Sequence, residues 1–448
     1  MSKFSQPSYK VNKEPINLFW FRRDLRLHDN AGLFEALKST RPVLPIFIFD
    51  TLILEKLEDK KDKRVQFIYE SVLSLKADLN KLGSDLLIYH GTPLEIFSHL
   101  LKTFSIQKVY ANHDYEPQAK ERDNKVSELL RAHNCQLLTF KDQVIFEKTE
   151  IVAENGNPYT VYTPYKNKWL QSLSDFYLKS YPTKNYQHLF FKTKDISVTP
   201  SLADLGFISE SWIYPAEELN SNTLIKYAQN RDYPAIKNGT SLLGLHLRFG
   251  TVSVRELARE GKKLSSVWLS ELIWRDFFMQ VLWHHPQVVK QSFKAKYERI
   301  SWRKSPDDFQ AWQEGKTGYP LVDAGMRELN STGHMHNRVR MVVASFLTKH
   351  LLIHWLEGER YFAKKLLDYD LAANNGNWQW AAGTGCDAAP YFRIFNPQSQ
   401  LEKFDPEAKY IKTWLPEWGT KAYRTPIVDH NFARERCLTE FKKGLSLT

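Results

Sequence analysis

The feature that most constrains the fold of this 448-residue chain is a change of hydrophobic period part-way along it. In the first third, short apolar runs alternate with amphipathic stretches. The runs are "NLFWF" from Asn17, "VLPIFIFD" from Val43, "DLLIYHG" from Asp85, "KVYANHD" from Lys108 and "QLLTFKD" from Gln136. Between them lie patterns such as "RVQFIYESVLSLKADLNKLG" from Arg64 and "QAKERDNKVSELLRAH" from Gln118. Buried strands alternating with amphipathic helices predict a parallel, doubly wound sheet. Such sheets bind ligands at the C-terminal ends of their strands. The usual dinucleotide fingerprint GxGxxG occurs nowhere in the chain.

After about Glu217 the apolar spacing is helical nearly throughout. "VRELAREGKKL", "SVWLSELIWRDFFMQVLWHH", "YPLVDAGMRELNSTG", "NRVRMVVASFLTKHLLIHWLEGERYFAKKLLD" and "DHNFARERCLTEFKKGL" carry it, and no β-rich run intervenes. Between the two patterns, Pro, Asn, Lys and Tyr are frequent. The expectation is an α/β domain over 15–143, a long linker over 144–216 with little regular structure, and an all-α domain over 217–448.

Net charge is +11, which favours a polyanionic partner, nucleic acid first. The 13 Trp suit core packing or stacking on flat ligands. Cys135, Cys386 and Cys437 are scattered without a CxxC, which fits a reducing compartment and gives no zinc site. The stretch "MSKFSQPSYKVNKEP" lacks the apolar centre of a signal peptide, and no apolar run reaches membrane length, so a cytoplasmic protein is expected.

Four stretches concentrate groups that can do chemistry. In "NGTSLLGLHLRFG", Thr240 and Ser241 read first as helix caps, although hydroxyls and free amides at a helix start also suit a phosphate. In "VWLSELIWRDF", Trp268, Glu271 and Arg275 share a helix face with Trp274 at its margin. A Glu among indoles is a candidate for a raised pKa. A plain Glu271–Arg275 surface pair is the competing reading. In "STGHMHNRVRMVV", Asn337, Arg340 and Met341 share a face. His334 and His336 stand two apart with no third ligand, which argues against a metal. In "LLDYDLAANNGNWQWAAGTGCDAAPYFRIFNP", a helix would line up Asp370, Asn374 and Trp378 and turn Trp380 to the opposite side. Asn374, Asn375 and Gly376 would cost helix stability unless a ligand or tight packing required them.

These stretches, with "WFRRDLRLHDN" at Trp20, "YTPYKNKWL" at Tyr162 and "AWQEGKTGYPLVDAGMREL" at Ala311, resemble the photolyase and cryptochrome family along nearly the whole chain. The resemblance is greatest to class I cyclobutane pyrimidine dimer photolyases. It implies an antenna domain, a linker and an all-α domain that holds FAD. It implies that Asn374 faces flavin N5 and that Asp368 pairs with Arg340, with Asp370 on the same wall. Tyr227, Thr240, Ser241, Leu242 and Leu243 would hold the phosphates and ribityl chain, and Trp268 and Arg275 would complete the pocket. Reduced FADH⁻, excited by light, would give an electron to a thymine dimer flipped out of UV-damaged DNA; a lesion with weakened pairing costs less to extrude. Glu271 would hydrogen-bond the dimer, Asn337 would read a base carbonyl, and Trp274, Trp380 and Met341 would pack it. Arg231, Arg338, Arg393 and Gln400 are the implied DNA contacts. Trp378, Trp355 and Trp302 match the family's chain of tryptophans that photoreduces the flavin. A monomer is expected.

Asn337 and Met341 stand where (6-4) photolyases need histidines, and Asn374 where plant-type cryptochromes carry Asp. Both favour dimer repair. A photosensory cryptochrome is the runner-up, set against an intact lesion pocket and a chain that ends at Thr448 with no long tail. The remaining candidates are a (6-4) photolyase and a basic nucleic-acid binder without chemistry. Gly244 and His334 depart from the family pattern, which often has Ser and Trp there. Gln118-Ala119 replaces the Asn-Glu of folate-antenna members, although Lys290 fits them. A deazaflavin, another flavin or no second chromophore stays open.

Overall fold

The computed structural model describes residues 12–193 and 197–446, so most of the polar N-terminal stretch lies outside the described residues. The chain divides into two compact units. One comprises the chain up to Ile145 with Ser174–Glu218 and Leu243–Arg259; the other comprises Phe146–Leu173, Leu219–Leu242 and everything from Glu260 onward.

The first unit is built on five parallel strands: β1 (Asn12–Phe21), β2 (Val43–Asp50), β3 (Leu87–Gly91), β4 (Phe104–Asn112) and β5 (Gln136–Phe140). Their order is β3-β2-β1-β4-β5. All five expected strands are present. β2 is buried along all but its last residue, as a strand covered on both faces must be. The connecting helices Lys63–Lys81 and Pro117–Ala132 match the amphipathic stretches within a residue or two at each end. The order reverses between β1 and β4, which places the topological switch beside the C-terminal ends of those strands.

A buried ion network closes this unit. Asp142, with a side chain 1% exposed, takes Arg26 at 2.7 Å and Arg255 at 2.8 Å. Arg255 also grips Asp29 at 2.8 Å. Burial pushes the Asp142 carboxyl up, but the two guanidinium groups outweigh it and hold the pKa below the usual carboxylate range.

The second unit is helical. Its long pieces include Ser266–His284, Pro320–Thr332, Asn337–Ser345, Trp355–Lys365, Leu371–Ala382 and His430–Ser446. The structure departs from the sequence reading in two places. The stretch expected to lack regular structure contains the helix Tyr162–Ser172, whose Tyr162, Tyr165 and Trp169 fall at i, i+3 and i+7 and are all buried. Its polar letters sit on the outward face and mask the period. The continuous helical pattern from Asn337 to Asp368 is also broken. After Ser345 it loosens into a π-turn over Phe346–His350, Leu352 turns left-handed at φ 53, and a new helix starts at Trp355 with His354 as its cap. The all-apolar "LLI" gave no sign of a break, because buried helix and buried turn share a composition.

Removing Asp142 leaves buried Arg26 without a carboxylate and Arg255 with Asp29 alone, so Asp142→Ala should cost about 3–5 kcal/mol in denaturant unfolding. A carboxyl with a depressed folded-state pKa contributes its stability above its unfolded pKa and loses it as pH falls through the folded value. Wild-type stability should therefore decline below about pH 4, and Asp142→Asn should flatten that part of the profile.

Candidate active site

The Asn- and Trp-rich run forms the helix Leu371–Ala382, and Asp370 is its N-cap, accepting from the amides of Ala372 and Ala373. One face lies on the helix Trp355–Lys365. There Asn374 spends both amide hydrogens on Glu359, at 2.9 Å to Oε1 and 3.1 Å to the backbone carbonyl. One turn on, Trp378 packs so closely on Gly358 that a Cβ at Gly358 would sit inside its indole. The opposite face is tied to the Pro286–Val289 turn: Asn375 and Gln379 both donate to the carbonyl of Val288. Gly376 admits the ring of Phe278, where a Cβ would collide with it. Tight packing therefore accounts for Asn375 and Gly376. Among the described residues, no partner reaches the amide oxygen of Asn374. Burial raises the pKa of Glu359, with the Asn374 bond opposing.

Arg340 and Asp368 are paired as expected, at 2.9 Å and 3.2 Å from one guanidinium nitrogen to both carboxylate oxygens. Trp268, 3% exposed, donates its indole N–H to Ser241 Oγ at 3.2 Å. Thr240 is half-buried, and Leu242 is 40% exposed with φ 54. A branched residue held left-handed in a loop is strained, and such turns gather backbone amides into an anion-binding concavity. Leu243 is buried and belongs to the first unit. Arg275 and Met341 are half-buried, and Asn337 is exposed at the start of its helix.

The structure brings Tyr227, Arg231 and Glu271 together. The Arg231 guanidinium bonds Glu271 and lies 5.2 Å from the Tyr227 ring centre. Burial raises the Glu271 pKa, with Arg231 opposing. The Glu271–Arg275 pair is therefore superseded by a longer-range partner. Trp274 stacks on Tyr162 at 3.5 Å and also lies against Phe278, which leaves its rim for any further contact. Beside Arg231, Asp232 bonds Arg338 at 2.7 Å. Arg338 lies over Phe404 at 4.3 Å, and Gln400 is one turn earlier on the same helix face. Among the described residues, no partner reaches the buried Nε of Arg338 or Oε1 of Gln400. Arg393 is exposed and stacks on Phe395. Trp355 and Trp378 are core residues, and Trp302 and Trp380 pack on the same cluster half-buried. His334 bonds Glu328, and His336 caps its helix with a pKa pushed down by burial to about 4. Glu359, Tyr162, Asp232 and His354 were not foreseen. Their signals were weak: Glu359 sits in an ordinary-looking "EGER", and the others pair across long sequence separations.

The first unit holds a cavity of about 500 Å³ at the C-terminal ends of its strands. Apolar Phe47, Phe49, Leu52 and Ile68 line one part of it, and Arg22, Arg122 and Lys125 another. Gln118 and Ala119, the residues that depart from the folate pattern, also line it.

Two stretches match family models: residues 17–185 match DNA photolyase, and residues 268–420 match the FAD binding domain of DNA photolyase. The deoxyribodipyrimidine photo-lyase of Escherichia coli is 39% identical, over 95% of this chain and 98% of its own length. The chain belongs to the photolyase/cryptochrome family. That of Halobacterium salinarum is 37% identical, over 96% and 99%. A solved bacterial class III photolyase from Agrobacterium tumefaciens has TM-score 0.85 at 32% identity, covering 98% of this chain and 99% of that one. An archaeal photolyase from Sulfolobus tokodaii, solved with two FAD molecules, has TM-score 0.81 at 34% identity, covering 96% and 100%. FAD is thus the cofactor of this photolyase-family chain. Its residues fit the group: a left-handed loop for phosphates, a half-buried arginine–carboxylate pair, and an Asn whose amide oxygen meets no partner among the described residues. Among the described residues, no helix is long and apolar enough to cross a membrane.

Because a Cβ at Gly376 must displace the Phe278 ring, Gly376→Ala should destabilise the second unit by about 1–3 kcal/mol. It should lower FAD occupancy along with Tm in a melt followed by flavin fluorescence.

Proposed function

We propose that this chain is a deoxyribodipyrimidine photo-lyase that splits cyclobutane pyrimidine dimers in UV-damaged DNA, acting as a monomer in the cytoplasm. The observation that carries the reading is Glu271, half-buried beside Tyr227 and Tyr162 and clamped by Arg231, within the same helical unit as the FAD-binding match. Bound, reduced FAD supplies, on absorbing near-ultraviolet or blue light, the electron that opens the dimer's ring and to which it returns.

The chain's own residues prepare that event. Arg340 with Asp368, Tyr227, Thr240, Ser241, Leu242, Leu243, Trp268, Arg275 and Asp370 hold the dinucleotide. Glu359 fixes the Asn374 amide so that its oxygen is the atom offered to flavin N5. An acceptor there favours a proton on N5, which is the state the reaction needs. Glu271 hydrogen-bonds the dimer, and a fixed partner at the atom where charge develops costs no reorganisation. Asn337 reads a base carbonyl, while Trp274, Trp380 and Met341 pack the flipped lesion. Arg231, Arg338, Arg393 and Gln400 meet the strand around it. Arg338 Nε, a donor with no partner among the described residues, suits a phosphate oxygen, and Gln400 Oε1, an acceptor, suits a base N–H.

Trp355, Gly358 and Glu359 share a helix face that meets Trp378 and Asn374. That continuity supports Trp378, Trp355 and Trp302 as the path by which electrons enter from the surface. The first-unit cavity is assigned to a second, light-harvesting chromophore.

Light-dependent repair of an oligonucleotide carrying one thymine dimer, beside a (6-4) lesion and a dark control, tests the reading. Restoration of the dimer alone, and only in light, is expected; a flavin-bearing protein that repairs neither lesion points to a cryptochrome. Glu271→Ala should keep FAD and lose repair several-fold, and full activity would count against the role given to Glu271. Leu52→Trp should fill the first-unit cavity, removing any absorbance beyond that of FAD while leaving FAD content unchanged and lowering repair only under limiting light.

A further inference from the structure

His354 stands between two members of the tryptophan path. Its imidazole lies 5.6 Å from the Trp355 ring at a 29° tilt, and 5.3 Å from the Trp302 ring at 64°. The contact is braced: Arg303, next to Trp302, donates its backbone N–H to the carbonyl of Leu352 at 2.8 Å and its side chain to that of Leu351 at 3.0 Å. The two loops that carry Trp302 and His354 are thus pinned together. Trp355 is fully buried, and no acceptor among the described residues reaches its indole nitrogen. Once oxidised, Trp355 has nowhere to send its proton, so its positive charge stays until an electron arrives. His354 itself is half-buried and can exchange a proton with water.

We propose that His354 is a positioning residue of the electron path: its ring bridges Trp302 and Trp355, and its charge state decides how readily Trp355 gives up its electron. The inference rests on the reading of these tryptophans as a relay. In the step itself one electron leaves Trp355 and reduces the Trp378 radical cation, and one electron then leaves Trp302 and reduces the Trp355 radical cation. No bond forms or breaks, and the imidazole is not oxidised. An external thiol gives one electron to the Trp302 radical cation and its proton to water, and two thiyl radicals formed in this way join as a disulfide. A neutral imidazole leaves the charge on Trp355 unopposed, whereas an imidazolium stacked on that ring repels it and disfavours oxidation of Trp355. The charged groups facing His354 are Glu298 from the Ala295–Arg299 turn and Glu357 and Arg360 from its own helix. Burial, the largest influence, lowers its pKa; Glu298 and Glu357 oppose this, and Arg360 adds to it.

His354 Nδ1 also caps the Trp355–Lys365 helix by accepting from the Leu356 amide at 3.1 Å, so the test must separate cap from bridge. His354→Asn keeps a good cap and removes the ring; His354→Phe keeps a ring and removes both cap and titration. The FAD-loaded protein with added thiol is flashed at several pH values, and flavin photoreduction and tryptophan-radical absorbance are followed. Wild type should slow on the order of tenfold as the imidazole becomes charged. His354→Asn should melt as wild type but photoreduce slowly with a flat pH profile, and His354→Phe should be fast and flat. NMR of the full chain with ¹³C-labelled histidine gives a second readout: the signal missing in His354→Asn should be ring-current shifted and titrate below an exposed histidine. Trp302→Phe checks the relay. If it photoreduces normally, the relay reading fails and takes the proposal with it. If Trp302→Phe is blocked but His354→Asn matches wild type in rate and pH profile, the proposal alone is overturned.

Discussion

The site depends on how closely the helix Leu371–Ala382 is gripped by its neighbours. Two glycines set those distances: Gly358 lets Trp378 lie on one side, and Gly376 lets Phe278 in on the other. Close approach is what allows Asn374 to reach Glu359 with both amide hydrogens. A short side chain can hold a fixed orientation only where the backbones are near. The same helix therefore serves packing and chemistry on one face, and the amide ladder of Asn375 and Gln379 on the Val288 carbonyl holds it from the other.

This explains why the run looked anomalous as sequence. Asn and Gly are poor helix formers, yet Asn374, Asn375 and Gly376 each meet a partner that a better helix former would exclude. The surplus tryptophan follows the same logic. Trp312, Trp355 and Trp378 are core residues in one cluster, and a core made of large flat rings leaves adjoining indoles within electron-transfer reach of one another. On the proposed relay, stability and electron flow draw on the same packing.

The strands, their parallel character and the main helices were legible, because burial on both faces or on one stripe writes its period directly into the sequence. The Arg340–Asp368 pair was legible through motif resemblance. Three things were not. The helix at Tyr162 hid its apolar stripe behind polar letters. The break between Ser345 and Trp355 lies wholly in the interior, where turn and helix have one composition. The Arg231–Glu271 and Arg338–Asp232 pairs join residues 40 and 106 positions apart, and no local pattern carries such pairings.

The hidden break has a functional consequence. An unbroken helix from Asn337 to Asp368 would have put residues 354 and 355 on adjacent flanks of one cylinder, with no imidazole able to stack on its neighbour's indole. The left-handed Leu352 ends the π-turn and lets His354 start a new helix as its cap. At a cap the side chain folds back over the first turn, which is where Trp355 lies. The strain at Leu352 is held by the Arg303 bonds to its own carbonyl and to that of Leu351, and those bonds also bring Trp302 alongside. One irregular turn thus fixes the helix start, the ring contact and the meeting of two loops. Its place is at the point where, on the proposed relay, charge passes between the buried Trp355 and the half-buried Trp302.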